Sequence, residues 1–262
     1  MPIAKTYEYK GKTFTDVKLD ECERHGLFPV WGTNSAGYGQ TLYTKCPKCE
    51  KAAQALKGAC IPKRFTGKRV RDYITSCDGQ RRAKEVVTDY CSDIDQKIRD
   101  GVSLIFSGTT GAGKTHLAAS IAVRAADCAH SVLFTTTIDY ITRVKESWRN
   151  GAKETESDVL RTFVDYELLI LDEVGIQFGT ETERLILFRL LNERYNQIKP
   201  TILISNLPVE LSEKERREGG KTISDYLGER LYDRILEGGG QCVAFTWPSY
   251  RKQLKTATGE GK

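Results

Sequence analysis

Five short apolar runs, separated by stretches with helical spacing, define the pattern of hydrophobic and polar positions from residue 101 onward. Near-continuous apolar runs of this length are typical of strands that are buried on both faces of a parallel sheet. Alternation of such strands with helices favours the α/β class. The predicted strands are residues 102–107, 131–136, 168–171, 201–205 and 242–247, and the last follows a predicted helical segment at 223–236.

The first fifty residues follow a different pattern. Short alternating stretches such as residues 13–17 stand among Gly, Thr, Tyr and Lys residues, without a helix-length apolar period. This favours a small β-rich unit. Helix formers follow at residues 50–56, and Ile61, Pro62 and Gly67 then mark a connector into a second domain.

The composition and the N-terminal residues indicate where in the cell the protein is expected. The chain has 262 residues, of which 39% are hydrophobic and 29% are charged. No apolar run approaches the ~20 residues that a membrane span needs, and the N-terminus lacks the apolar core of a secretory signal. We therefore expect a cytoplasmic protein that does not enter a membrane. The net charge of +5 permits contact with nucleic acid without requiring it.

A glycine-rich segment follows the first predicted strand of the second domain. Residues 108–115 read GTTGAGKT, match the pattern G-x-x-x-x-G-K-[ST], and open a predicted helix. Backbone N–H groups of such a loop and the helix N-terminus favour bound phosphates. We expect Lys114 to reach the β and γ phosphates of ATP and Thr115 to ligate Mg²⁺. The predicted nucleotide-binding residues are Gly108, Thr109, Thr110, Gly111, Ala112, Gly113, Lys114, Thr115 and Asp172.

Two later strands end in polar residues that suit the same site. Asp172 is expected to hold Mg²⁺ through its water shell, and Glu173 to act as the general base that activates water. Asn206 follows the strand 201–205 and is a candidate for contact with the γ phosphate or the attacking water. Its alternative role is to cap the turn before Pro208. The predicted reaction is ATP hydrolysis, with Glu173, Lys114 and Asn206 as catalytic residues.

Two short-spaced pairs in the N-terminal unit have the pattern of metal ligands. Cys22 and His25 form one pair, and Cys46 and Cys49 form the other. Three thiolates and one imidazole suit tetrahedral Zn²⁺. Because all four positions would be filled by protein ligands, the unit is expected to bind a partner or DNA. The alternative is three unconnected cysteines and a surface histidine.

The chain resembles the DnaC-type helicase loaders of the AAA+ superfamily over most of its length. The resemblance is carried by residues 61–65 (IPKRF), 108–115, 172–175 (DEVG), 227–234 (LGERLYDR) and 245–251 (FTWPSYR), of which the last two are the more family-specific. It implies a core that assembles as a ring or spiral of six copies on a DnaB-type replicative helicase and places that helicase on single-stranded DNA. Little sequence follows the last strand, so no C-terminal helical lid is expected.

The resemblance also implies roles for particular residues. In the family, an arginine of one subunit completes the ATP site of its neighbour. The resemblance assigns this role to Arg230, with Arg234, one helical turn later, as the alternative. Ordinary surface salt bridges are the competing interpretation of both. The family's helical insertion after the second core strand falls on residues 138–149. Its predicted DNA contacts are Arg143, Lys145, Trp148 and Arg149, unless this helix is simply amphipathic with Trp148 packed inward.

The combined prediction is an α/β protein whose P-loop AAA+ core has a parallel sheet flanked by helices and follows a small β-rich zinc domain. The predicted divisions are a partner-binding zinc ribbon at 1–56, a linker with helices at 57–100, the ATPase core at 101–254 and a disordered tail at 255–262. The predicted function is ATP-dependent loading of a hexameric replicative helicase onto single-stranded DNA. The alternatives are an IstB-like transposition helper on duplex DNA and a non-catalytic zinc adaptor.

Overall fold

An antiparallel sheet near the N-terminus is followed by a parallel sheet in the computed structural model, which describes residues 3–23, 26–176 and 180–250. Both the β-rich N-terminal unit and the α/β core that the sequence predicts are confirmed. The described helices are α1 (Pro47–Gly58), α2 (Asp78–Ser92), α3 (Ile94–Arg99), α4 (Lys114–Asp127), α5 (Thr137–Ser147), α6 (Glu156–Asp165), α7 (Glu181–Asn196), α8 (Glu213–Arg217), α9 (Ile223–Leu227) and α10 (Glu229–Leu236).

The N-terminal sheet has four strands in sequential order. They are β1 (Ile3–Tyr9), β2 (Lys12–Cys22), β3 (Gly26–Asn34) and β4 (Gly39–Thr41). Its core is small, and its fully buried apolar side chains are Phe14, Val17 and Leu42. A sheet with so little buried apolar surface gains limited stability from the hydrophobic effect alone.

The core sheet has five parallel strands in the order β6-β7-β8-β5-β9. The strands are β5 (Leu104–Gly108), β6 (Val132–Thr136), β7 (Leu168–Val174), β8 (Thr201–Ser205) and β9 (Gln241–Phe245). All five predicted strands are confirmed, with boundaries that differ by a few residues. Apolar clusters cover both faces, one formed with α2 and α4 and the other with α5, α6 and α7. Burial on both faces explains the near-continuous apolar runs of the three central strands, β5, β7 and β8.

The predicted helical segment at 223–236 is interrupted. Gly228 has a φ of +80° and separates α9 from α10. Glycine adopts this positive φ without the steric cost that a side chain would add. Arg230 and Arg234 therefore both lie on the short helix α10, which begins after this glycine.

Helix α1 connects the two sheets. Its residue Ala52 is buried, and Leu56 packs against the apolar cluster of the core. The helix contacts α4 and β6, and the N–H of Phe134 in β6 donates to the carbonyl of Ala59 at 2.8 Å. The sequence-based division at residue 56 thus falls inside a helix that packs on the core.

Within the described residues, no helix combines the length and the apolarity that crossing a bilayer requires.

Candidate functional site

The glycine-rich loop lies at the carboxyl edge of the parallel sheet, between β5 and the N-terminus of α4. Gly108, Gly111 and Gly113 have φ values of +124°, +79° and +100°. These left-handed conformations favour glycine, and a Cβ at Gly113 would collide with the ring of Tyr73. Thr109 and Thr110 form the exposed tip of the loop. The loop therefore has the backbone shape that turns successive N–H groups toward one centre.

Lys114 lies inside this loop with only 5% of its surface exposed. Its Nζ donates to the carbonyls of Gly108 at 2.7 Å and Thr109 at 2.8 Å, and to Oδ1 of Asn206 at 2.9 Å. Burial lowers the pKa of Lys114 to about 8, and the nearby carboxylate of Asp172 opposes that shift. The structure thus brings together Lys114 and Asn206, which the sequence predicts for one site.

Asp172 and Thr115 bring two side-chain oxygen atoms together near Lys114. The hydroxyl of Thr115 donates to Oδ2 of Asp172 at 3.2 Å. Burial raises the pKa of Asp172, while hydrogen bonds from the Glu173 N–H and the Thr115 hydroxyl, together with the charge of Lys114, oppose the increase. A carboxylate and a hydroxyl at this separation suit Mg²⁺, whose charge would favour the ionised carboxylate.

A bulge in β7 separates the two carboxylates of the acidic pair. Leu171 pairs with Leu203 but Val174 pairs with Ser205, so β7 carries one extra residue between these points. Glu173 has a φ of +63°, which is uncommon for a residue with a side chain. Bulges re-aim side chains next to active sites. Here the bulge leaves Asp172 partly buried beside Thr115 and Glu173 exposed at the edge of the site.

Three hydroxyl groups fix the strand ends around the site, and the sequence analysis did not identify them. Ser107 donates to the carbonyl of Leu207 at 2.5 Å, and Ser205 donates to the carbonyl of Val174 at 2.6 Å. Thr137 donates to the carbonyl of Asp172 at 3.1 Å. The available signal was a hydroxyl residue at the end of three of the predicted apolar strands or directly after them.

The predicted zinc ligands converge as far as the structure describes them. The sulfur atoms of Cys22, Cys46 and Cys49 all lie within 4.8 Å of one another, and those of Cys22 and Cys49 are 3.6 Å apart. Sulfur ligands around tetrahedral zinc are about 3.8 Å apart for a Zn–S bond of roughly 2.3 Å. The three thiols therefore fit a zinc ion. His25 lies outside the described residues.

The local structure explains how distant cysteines meet. Cys22 ends β2, while Cys46 precedes the first turn of α1 and Cys49 lies within that turn. The hydrogen bond with the Cys22 sulfur raises the pKa of the Cys49 thiol to about 11. Zinc binds the thiolate form of cysteine, so metal binding at this cluster would release the thiol proton of Cys49 to solvent.

Replacing both Cys22 and Cys49 with serine is expected to remove a metal from the purified protein. We expect about one equivalent of zinc per chain in the native protein and almost none in the double variant, because two of the three converging sulfurs are lost. Elemental analysis measures the metal, and circular dichroism measures the accompanying loss of β structure. Cys60→Ser is the matched control, since Cys60 is an exposed thiol outside the cluster. Equal zinc in the double variant and the control would contradict the assignment.

Most of the predicted DNA-contacting side chains are paired with carboxylates. Arg143 donates twice to Glu154, at 2.9 and 2.5 Å, and Lys145 donates to Glu183 at 2.8 Å. The indole N–H of Trp148 donates to Glu156 at 2.7 Å, although 49% of this residue remains exposed. These are neighbours in the fold, and the carboxylates offset the positive charge of this surface. Arg149 is exposed.

The two arginines of α10 have different surroundings. Arg234 donates to the side chain of Asn192, and its guanidinium lies 5.2 Å from the ring centre of Tyr195. Arg230 is exposed and makes no hydrogen bond or ion pair with the described residues. Of the two, only Arg230 presents an unengaged guanidinium on the surface of the described chain.

This sheet edge brings together a glycine-rich phosphate loop with its lysine, a paired carboxylate and hydroxyl, and an exposed carboxylate, which is the set of groups typical of P-loop nucleotide sites. The fold and site define a P-loop ATP-binding protein with an AAA+ core. The chain belongs to the family of IstB/DnaC-type AAA+ helicase loaders, because residues 72–258 match the family described as "IstB-like ATP binding protein". The resemblance and the fold class predicted from the sequence are confirmed.

Similar proteins include two that are named "Replicative helicase loader DnaC". The one from Escherichia coli (strain K12) is 32% identical over 183 residues, which cover 70% of this chain and 69% of the relative. The one from Buchnera aphidicola subsp. Baizongia pistaciae is 26% identical over 225 residues, or 86% of each chain. A crystal structure of the DnaC helicase loader has the same fold, with a TM-score of 0.58 at 24% identity over 70% of this chain and 98% of that one. The cysteine cluster lies outside the family match.

Proposed function

We propose that this protein uses ATP to load a hexameric, DnaB-type replicative helicase onto single-stranded DNA. The observation that carries the proposal is the 32% identity to a replicative helicase loader, combined with a P-loop, an acidic pair and Asn206 gathered at one sheet edge. Changes between ATP-bound and ADP-bound states would alter the affinity for helicase and DNA. The protein would act as a switch in this role.

Hydrolysis of ATP is the second part of the proposal. Lys114 would bind the β and γ phosphates, Thr115 and Asp172 would hold Mg²⁺, and Glu173 would polarise the attacking water. The separation of Asp172 from Glu173 by the bulge supports this division of labour, since one carboxylate faces Thr115 and the other is exposed. A non-catalytic adaptor would need no such second acid.

The ATP site would be completed by an arginine from a neighbouring subunit. We assign this role to Arg230, because its guanidinium is exposed and unengaged among the described residues, while Arg234 is held by Asn192 and Tyr195. A guanidinium near the γ phosphate stabilises the charge that develops during transfer. Activity would then depend on assembly of several copies in a ring or spiral, with six on the helicase.

DNA contact is assigned to the surface around the end of α5. Arg149 and the exposed face of Trp148 are the accessible members of the predicted set, and they suit a phosphate and a stacked base. Arg143 and Lys145 would contribute only by exchanging Glu154 and Glu183 for phosphates. The zinc-bound N-terminal unit would supply the contact with helicase.

Co-elution with the replicative helicase of the same organism tests the proposed function. The full chain with ATP and magnesium is expected to elute with the helicase and to increase its binding to single-stranded DNA. Lys114→Ala, which removes the ammonium group that lies in the phosphate loop, is the control and should not support ATP-dependent co-elution. If the wild-type chain ignores the helicase and forms ATP-dependent filaments on duplex DNA, the transposition-helper alternative replaces the loader.

A further inference from the structure

Two side chains from distant parts of the sequence donate to one carbonyl of the phosphate-binding loop. The hydroxyl of Tyr73 and the indole N–H of Trp247 each lie 2.9 Å from the carbonyl oxygen of Ala112, although they are 39 and 135 residues away from it in sequence. All three residues are buried. A carbonyl oxygen has two lone pairs, so both can be occupied at once.

The chain around Trp247 also follows the backbone of the loop. We call residues 245–250 the strap. The carbonyl of Phe245 accepts from the N–H of Thr109 at 2.7 Å, and the N–H of Tyr250 donates to the carbonyl of Gly111 at 3.1 Å. The strap thus bonds to the backbone of the loop at three residues, Thr109, Gly111 and Ala112.

These contacts orient one peptide group of the phosphate-binding loop. In a planar trans peptide, the C=O and the following N–H point in opposite directions. Because Tyr73 and Trp247 hold the carbonyl of Ala112 toward their own buried rings, the N–H of Gly113 points in the opposite direction, away from these rings. Inward N–H groups are the groups that bind phosphates in such loops.

We propose that Tyr73 and Trp247 are positioning residues for ATP, which fix the peptide between Ala112 and Gly113 so that its N–H is aimed at the phosphates. The inference rests on ATP binding by the P-loop and is independent of whether the bound ATP is hydrolysed. It assigns a nucleotide-related function to a residue of the 245–251 motif, which the sequence associates with the family only by resemblance.

Packing holds both donors in place. The ring of Trp247 lies 4.8 Å from that of Phe245 and packs so closely on Gly79 in α2 that a Cβ there would collide with it. The ring of Tyr73 meets that of His116 edge to face at 5.6 Å. Burial raises the pKa of Tyr73 to about 12, so its hydroxyl remains a donor at physiological pH. Phenylalanine at Tyr73 would remove only the hydroxyl donor, while phenylalanine at Trp247 would keep one aromatic ring and remove the N–H donor together with part of the packed indole.

The test compares the dissociation constants for ATP of Tyr73→Phe, Trp247→Phe and the double variant with that of the wild-type chain. Each single loss is expected to weaken binding about fivefold, since one donor remains, and the double loss by roughly thirtyfold or more, because a buried carbonyl is left without a partner. At saturating ATP the turnover number should stay close to that of the wild type, so that the effect appears in KM.

Tyr90→Phe is the matched control. The hydroxyl of Tyr90 is equally buried and donates to the carbonyl of Val102 at 2.8 Å, but this bond lies in the core away from the loop. It should lower thermal stability as Tyr73→Phe does, with ATP affinity changed by less than about twofold. Unchanged affinity in the Tyr73/Trp247 double variant would overturn the proposal, as would an equal loss of affinity in Tyr90→Phe. If the wild-type protein does not hydrolyse ATP, this test still applies, because it measures ATP binding.

Discussion

Glu173→Gln lowers ATP hydrolysis by about two to four orders of magnitude while ATP binding is retained, if Glu173 is the general base. Glutamine keeps the size of the side chain and removes its ability to accept a proton from water. Lys114, Thr115 and Asp172, which would hold the nucleotide and its metal ion, are unchanged. Phosphate release in the presence of helicase and single-stranded DNA measures the rate, and retention of radiolabelled ATP on the protein measures binding.

Asp165→Asn provides the control for this variant. Asp165 is an exposed acid near the opposite end of β7, so the substitution makes the same chemical change outside the site. Its rate should match that of the wild type. If Glu173→Gln also hydrolysed ATP at the wild-type rate, Glu173 would not be the base, and the non-catalytic adaptor would become the better interpretation.

Arg230→Ala is expected to reduce assembled ATPase activity by about three to five orders of magnitude with little change in ATP affinity. The reason is that its guanidinium would stabilise the transition state in the site of the neighbouring subunit. The decisive measurement mixes Arg230→Ala subunits with Glu173→Gln subunits. Arg230→Ala subunits retain Glu173, and Glu173→Gln subunits retain Arg230, so mixed assemblies should recover part of the activity that both variants lack alone.

Arg234→Ala separates a trans-acting arginine from a structural one. Arg234 is bound to Asn192 and stacks on Tyr195 within its own chain, so its loss should lower the melting temperature and preserve the rate. The opposite result, with a strong loss of activity in Arg234→Ala and normal activity in Arg230→Ala, would transfer the trans-acting role to Arg234. Failure of the mixed variants to recover any activity would contradict action between subunits.

The sequence was sufficient for features that depend on local pattern. Strands buried on both faces must be apolar at nearly every position, which made the central strands β5, β7 and β8 visible. The edge strands β6 and β9 are only partly buried, and they were identified from short apolar runs. Phosphate-binding loops need glycine where φ is positive, so the loop at 108–115 was also recognisable. The meeting of Cys22 with the pair Cys46 and Cys49 followed from the two short-spaced ligand pairs, because zinc restricts which residues can bind it.

Features that depend on long-range register could not be predicted in the same way. The bulge at Asp172 and Glu173 is defined by pairing with β8, which a pattern within β7 does not contain. Lys145 meets Glu183 across 38 residues, and no local signal distinguishes such a cation from one that faces DNA. The two donors to Ala112 lie still farther apart in sequence, so only the folded chain reveals their convergence.

Helix α1 limits where this protein can be divided. Its first turn carries a thiol of the metal cluster, and its last turns cover part of the core. A fragment that ends at residue 56 would carry an apolar helix face with nothing to cover it, while a fragment that begins at residue 57 would uncover the surface of α4. Because helix α1 contributes to both the metal cluster and the surface of the core, the two parts of the chain are unsuited to exchange as independent modules.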